Sequence, residues 1–101
     1  MQVRFERPPT GTLSWVVSSL ADDAEKAAAM SREALQPELF ARRPVALDFR
    51  GLDVCTQGFL HALLFEAVRL SWATRTPIYI ENAAPGVQVG VRLVDNYARG
   101  G

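Results

Sequence analysis

Cys55 and His61 are the two residues whose chemistry could support nucleophilic catalysis, since an imidazole can accept the proton of a cysteine thiol. A helix that starts close to Cys55 would also lower the pKa of its thiol. The two residues stand six positions apart across a predicted loop-to-helix junction, however, and no third residue beside them would orient the imidazole. We therefore interpret Cys55 as a small apolar side chain of the interior, and we predict that the protein is not an enzyme.

The composition argues against metal, cofactor and nucleic-acid chemistry. One cysteine and one histidine cannot build a zinc site, and a single cysteine allows no internal disulfide. Eleven basic and eleven acidic side chains cancel, whereas nucleic-acid binding usually requires a basic surface. The dipeptide Pro85–Gly86 is too sparse in glycine for a phosphate-binding loop. We expect no metal, no cofactor and no nucleic-acid partner.

A polar loop after a predicted strand is the most informative segment of the chain. The strand-like run 45–49 contains Asp48, Gly51 then provides a turn, and residues 56–58 open a long apolar helix. Loops at the carboxyl ends of strands are where α/β folds tend to place their binding sites. Asp48 could be a ligand group, but we interpret its carboxylate as a structural cap for backbone N–H groups of the loop.

The elements that must position this loop alternate between strand and helix patterns. In chain order they are an extended start 2–6, a strand 12–17, a helix 21–35, a strand 45–49, a helix 58–72, a strand 78–80 and a terminal segment 85–98. The terminal segment fits strand or helix spacing equally well, and Pro85 with Gly100 favours a helix. Ser19 with Asp22 resembles a cap for the first helix, and Pro37 is expected to end or break it.

These elements predict an α/β fold made of one small domain, residues 1–101, in which about three helices pack on a mixed sheet of about four strands. A chain of 101 residues with 49% hydrophobic content can bury a modest core. No apolar run approaches the roughly 20 residues needed to span a bilayer, and the first residues lack the apolar core of a signal peptide. We expect a cytoplasmic protein without a membrane span.

The helix 58–72 carries an aromatic stripe beside its apolar face. At about 100° per residue, His61, Phe65 and Trp72 fall within roughly 40° of one another. One interpretation is that the N-terminal strand or the terminal helix covers this stripe. The other is that the stripe is an exposed ridge that contacts a partner or a second copy of the chain.

Four short motifs resemble a known family when they are taken in order. They are the glycine-led strand and helix start 11–23, Leu47-Asp48-Phe49-x-Gly51, the small-residue cluster before Phe59, and Ile80-Glu81-Asn82 ahead of the terminal helix. Together they resemble the STAS-like domain family of unknown function, which is related to the STAS domains of bacterial anti-sigma-factor antagonists. The resemblance implies a STAS-type fold and a non-catalytic regulatory role in bacterial signalling. It also implies a protein partner, either a histidine-kinase-like ATPase or an anti-sigma factor.

The chain departs from those antagonists where they carry a phosphorylatable serine at the helix start. Counted from Asp48 and Gly51, Gln57 falls at the acceptor position and Thr56 at the preceding acidic position. We expect Thr56 to cap the helix instead, by accepting from the amide of Gly58 or Phe59. Partner binding is then not gated by phosphorylation at this point. The partner-binding residues that we predict are Asp53, Thr56, Gln57, Gly58, His61, Phe65 and Trp72, held by the structural residues Asp48 and Gly51.

Two other functions stay open from the sequence. One is a self-assembling scaffold subunit, a homo-oligomer that uses the aromatic stripe and the terminal segment. The other is a sensor of a small ligand or nucleotide, which related STAS folds suggest but which no phosphate-binding motif in the chain supports.

Overall fold

The computed structural model describes residues 2–100, and these form four strands and three helices. The strands are β1 (Val3–Arg4), β2 (Leu13–Val16), β3 (Val45–Asp48) and β4 (Ile78–Glu81). The helices are α1 (24–40), α2 (Gln57–Thr74) and α3 (Pro85–Ala98). The terminal segment is therefore a helix, as Pro85 indicated. The predicted small α/β domain is confirmed.

The sheet has the strand order β1-β4-β3-β2, and every neighbouring pair is parallel. The expectation of a mixed sheet is wrong. The sheet is fully parallel because the connection 5–12 does not reverse the chain into a neighbouring strand. It places β1 and β2 at opposite edges of the sheet, and the two strands point the same way. This short segment carries the chain back across β4 and β3 and does not form a hairpin between neighbouring strands.

The core lies between the sheet and the helices. Val45, Leu47 and Ile80 alternate along β3 and β4 and pack in one cluster with the apolar faces of the helices. Ala46 on β3 and Tyr79 on β4 occupy the alternate positions, so they face the other side of the sheet, where they are also buried. The helices occupy the first face, so the crossing connection 5–12 must run over the second.

The start of α1 differs from the prediction. Ser19 belongs to a single 3₁₀ turn, Val17–Leu20, where its hydroxyl donates to the carbonyl of Val16 at 2.7 Å. The N-cap is Asp23, whose carboxylate accepts from the N–H groups of Glu25 and Lys26 at 2.9 and 3.2 Å. Capping by Ser19 and Asp22 is therefore wrong, and Asp22 is free to contact another loop.

Pro37 does not end α1, which continues to Phe40. The segment Ser31–Leu35 is a π-helical turn, in which the N–H of Gln36 bonds to the carbonyl of Ser31. In an α-helix the ring of Pro37 would clash with the carbonyl of Glu33. The wider turn displaces that carbonyl and lets the helix pass through the proline.

Candidate functional site

Three loops meet at one edge of the sheet, because parallel strands all end on the same side. Residues 17–23 follow β2, residues 49–56 follow β3 and residues 82–84 follow β4. The predicted polar loop is the one that follows β3. Because β3 lies between β4 and β2 in the sheet, this loop lies between the other two.

Asp48 anchors this edge. Its side chain is buried, and Oδ1 accepts from the Arg50 N–H at 2.9 Å while Oδ2 pairs with the Arg50 guanidinium. The guanidinium hydrogen bonds, helped by Asn82, lower the pKa of Asp48 to about 2. Gly51 makes the turn that follows with φ of +78°. Asp48 therefore accepts from a backbone N–H of the loop, and Gly51 provides the positive φ of its turn.

Asn82 completes the Asp48 cluster and was missed by the sequence analysis as a contributor to it. Its Nδ2 donates to Oδ1 of Asp48 at 3.0 Å, and its own φ is +54°. The signal that could have found it is its place directly after β4, the neighbour of β3, since side chains at the ends of adjacent parallel strands lie close together.

Thr56 caps α2 as predicted. Its Oγ1 accepts from the N–H of Phe59 at 3.2 Å. The same residue also faces Asp22, whose Oδ1 accepts from the Thr56 N–H at 3.3 Å and from the Thr56 hydroxyl at 3.4 Å. Asp22 reaches this position from the neighbouring loop with φ of +53°. A fixed carboxylate therefore stands at the start of α2.

Gln57 ties the start of α2 to α3. Its Nε2 donates to the carbonyl of Gly90 at 3.1 Å. A Cβ on Gly90 would lie 2.5 Å from Leu60 Cδ1, so only glycine permits this close approach without movement. On the same side, a Cβ on Gly86 would lie 3.9 Å from the carbonyl of Asp53. The loop and α3 therefore form one continuous surface.

Cys55 and His61 have separate environments. Burial and the nearby charge of Asp22 raise the pKa of the Cys55 thiol above its usual 9.0, which keeps it protonated at neutral pH. Cys55 is half-buried and packs against the core. The ring of His61 stacks on that of Phe65, with centroids 4.6 Å apart. Neither environment activates a nucleophile.

The aromatic stripe is divided between two environments. Trp72 is half-buried, and its Nε1 donates to Oδ1 of Asp95 on α3 at 3.0 Å. The guanidinium of Arg99 lies 5.2 Å from the Trp72 ring. His61 is exposed and Phe65 is half-buried on the side of α2 that borders α1. Helical spacing placed the three rings together, but α3 contacts the Trp72 end of the stripe.

Four large apolar side chains are exposed around the loop and along α3. Val54 in the loop is 79% exposed, and Val89, Leu93 and Tyr97 on α3 are 56%, 44% and 60% exposed. The last three recur every fourth residue and so form one stripe. The sequence analysis did not select them; the signal was this spacing, which runs beside the buried positions Val87, Val91 and Val94.

An open cleft of about 600 Å³ is bordered by the Asp48 cluster. Arg7 and Arg50 line it together with Glu6, Glu81 and Asp48. Arg50 already pairs with Asp48. The remaining carboxylates oppose phosphate binding, so the cleft does not favour a nucleotide ligand.

Residues 2–100 contain no group of three or more His, Cys, Asp and Glu side chains that could hold a metal ion. In the same range, no helix has the length and apolar character that crossing a membrane requires. Comparisons of the chain with protein-family models, with curated proteins and with solved structures find no match.

Proposed function

We propose that the protein is a non-catalytic regulatory module of bacterial signalling that binds a protein partner through the loop 53–58 and the adjoining helices. The observation that carries the proposal is a set of exposed apolar side chains: Val54 in the loop, and Val89, Leu93 and Tyr97 on the helix whose Gly86 and Gly90 approach the loop and the start of α2. Large apolar and aromatic side chains surrounded by polar ones are typical of interaction surfaces. We name this group, together with Gln57, the loop–helix surface.

The loop–helix surface is held in place before any partner arrives. Gln57 bonds to Gly90, and Thr56 is fixed by Phe59 and Asp22. A surface that is already ordered loses less conformational entropy on binding. His61 and Phe65 lie further along α2, where they could extend the contact, whereas Trp72 packs beneath α3.

A histidine-kinase-like ATPase or an anti-sigma factor is the partner class that we propose. The support is the resemblance of 47–51 and 80–82 to STAS-like domains, together with the position of the exposed residues around the same loop. Gln57 has no hydroxyl, and the Thr56 hydroxyl is already engaged. Binding is then constitutive at this surface and is not released by a phosphate.

Site-specific photo-crosslinking in the native host tests the proposal. A crosslinking residue at position 54 should capture one predominant protein of the proposed class, and the same residue at the exposed position 73, near the far end of α2, should not. With the purified partner, Leu93→Asp should weaken binding at least tenfold. Equal capture from both positions, or an unchanged Kd for Leu93→Asp, contradicts the proposal.

A further inference from the structure

The outer edge of β2 is an unprotected strand edge. β2 pairs with β3 alone among the described strands, and Leu13 and Val16 are 51% and 42% exposed. Natural edge strands usually carry a lysine, a proline or a bulge that discourages pairing with another chain. β2 has no charged residue and no proline, and residues 8–21 have no charged side chain.

The register of the sheet shows which backbone groups of β2 point outward. On the β4 side, the Val45 N–H donates to the carbonyl of Pro77, which precedes β4, and the Phe49 N–H donates to β4 itself. Because N–H groups alternate in direction along a strand, Ala46 and Asp48 direct theirs to β2. Ala46 is registered with Ser14, and in a parallel ladder it therefore bonds to the residues on either side of Ser14. Ser14 and Val16 then direct their own N–H and C=O groups away from the sheet.

Some of these outward groups are already satisfied within the chain. The carbonyl of Val16 accepts from the Ser19 hydroxyl at 2.7 Å. Thr12 precedes β2 and, like Ser14, directs its backbone groups outward. Its N–H bonds to the carbonyl of Pro9 at 3.2 Å. The groups left for another strand are the N–H and C=O of Ser14, the N–H of Val16 and the C=O of Thr12.

We propose that β2 pairs antiparallel with β2 of a second copy of this chain about a twofold axis through Ser14, which joins the two sheets into one. In this register the N–H of each Ser14 donates to the carbonyl of the other Ser14. Each Val16 N–H donates to the Thr12 carbonyl of the other copy. This pairing uses only the groups left for another strand. The Val16 carbonyl and the Thr12 N–H keep their bonds within the chain.

The side chains fit the same register. Leu13 then lies opposite Trp15 of the second copy, in the position where antiparallel side chains approach most closely. Both face the helix side of the sheet, since they are registered with Val45 and Leu47. Trp15 already packs against the core, so pairing would cover an apolar rim that solvent now contacts. An uncharged strand also brings no like charges together across the axis.

Analytical ultracentrifugation across a concentration series tests the proposal. The wild type should approach twice 11.1 kDa at the highest concentrations, and Ser14→Pro should remain at 11.1 kDa. Proline suits an edge strand, because the N–H it removes points outward. Leu13→Lys should have the same effect as Ser14→Pro. Val89→Lys, an equal charge change at an exposed apolar residue of α3, should still dimerise.

Two sedimentation results overturn the proposal. One is a wild type that sediments as a monomer up to millimolar concentration. The other is a dimer in which Ser14→Pro, shown by a cooperative melt to be folded, associates as well as the wild type. Amide hydrogen exchange locates the contact independently. The Val16 amide should exchange more slowly as concentration rises, and exchange that does not depend on concentration also contradicts the pairing.

Discussion

Asn82 donates a hydrogen bond of 3.0 Å from Nδ2 to Oδ1 of Asp48, and so joins the loops that follow β3 and β4. The same carboxylate accepts from the backbone and the side chain of Arg50. One buried anion therefore determines the shape of both loops. The loop–helix surface lies on the continuation of the first loop, so its geometry depends on this anion.

Asp48→Ala should lower the free energy of unfolding by about 2 kcal/mol. The substitution removes the buried acceptor of the Arg50 N–H, of the Arg50 guanidinium and of the Asn82 side chain, so the turn after β3 loses its cap. Urea denaturation measures the change. Asp53→Ala, at an exposed residue of the same loop, is the control and should change stability by less than about 0.5 kcal/mol. Equal stability of Asp48→Ala and wild type would transfer Asp48 from a structural to a functional role.

The stabilisation by Asp48 should depend on pH in one direction. Its pKa is about 2 in the folded protein against an ordinary 3.8, so the unfolded chain binds the proton first as the pH falls. The contribution is therefore complete above about pH 4 and is lost as the pH falls towards 2. Since Arg50 is exposed, we expect ~1–2 kcal/mol. Asp48→Asn should lack this loss, and parallel pH curves for the two proteins would contradict the prediction.

Gly90→Ala should lower the stability of the protein, whereas Gly86→Ala should not. A methyl group on Gly90 would lie 2.5 Å from Leu60 Cδ1 and 3.1 Å from Gln57 Oε1, at the contact between α2 and α3. Overpacking there should exceed the gain in helix propensity and give a net loss of ~1–2 kcal/mol. A methyl group on Gly86 has only a contact of 3.9 Å and should leave stability unchanged or raise it. Thermal melts of the two variants measure the difference.

Trp72→Phe should be more destabilising than Phe65→Ala, although it removes fewer atoms. The indole N–H is a donor to Asp95, which is 1% exposed and would keep only its ion pair with Arg99. Losing a partner of a buried charged group costs ~1–3 kcal/mol. Phe65 is half-buried, and its loss should affect folding less than partner binding. We therefore assign Trp72 a structural role, which an equal or smaller loss for Trp72→Phe in urea denaturation would contradict.

Thr56 should carry no phosphate after expression in the native host, as intact-mass spectrometry can show. Its hydroxyl lies 3.4 Å from Asp22 Oδ1, so a phosphate would be placed beside a carboxylate. Gln57→Ala should weaken partner binding modestly, because it frees the loop from Gly90. Gln57→Glu should weaken binding more if the partner presents carboxylates there. Stoichiometric phosphate on Thr56 with loss of binding would show a switch shifted by one residue.

The parts of the structure that short-range patterns control were predictable. The order of strands and helices follows from local composition and from Pro85, and the caps by Asp48 and Thr56 reach only two or three residues along the chain. The bonds from Thr56 to Asp22 and from Asn82 to Asp48 each join residues 34 positions apart. They depend on which loops the sheet order makes neighbours, and no local pattern specifies this.

The direction of the sheet and the division of the aromatic stripe were unpredictable for a similar reason. A short connection such as 5–12 can make a hairpin or cross the sheet, and its own residues favour neither. Periodicity places Trp72 near Phe65 on α2, but the position of α3 decides which of them is covered. Pro37 is a local signal that failed, because a π-helical turn removed the clash that normally ends a helix.

The pairing of β1 with β4 also sets the order of events while the chain is being made. Val3 is registered with Ile78, and the Ile78 N–H donates to the carbonyl of Gln2 at 2.9 Å. At ~5–20 residues per second, the ribosome needs ~4–15 s to add the 75 residues between the two partners. The earliest strand therefore waits for the latest one, and the nascent domain closes only when synthesis of β4 is complete. During this interval the uncharged β2 segment is exposed, and polysomes that bring nascent chains close together would give it the chance to pair before the fold is finished.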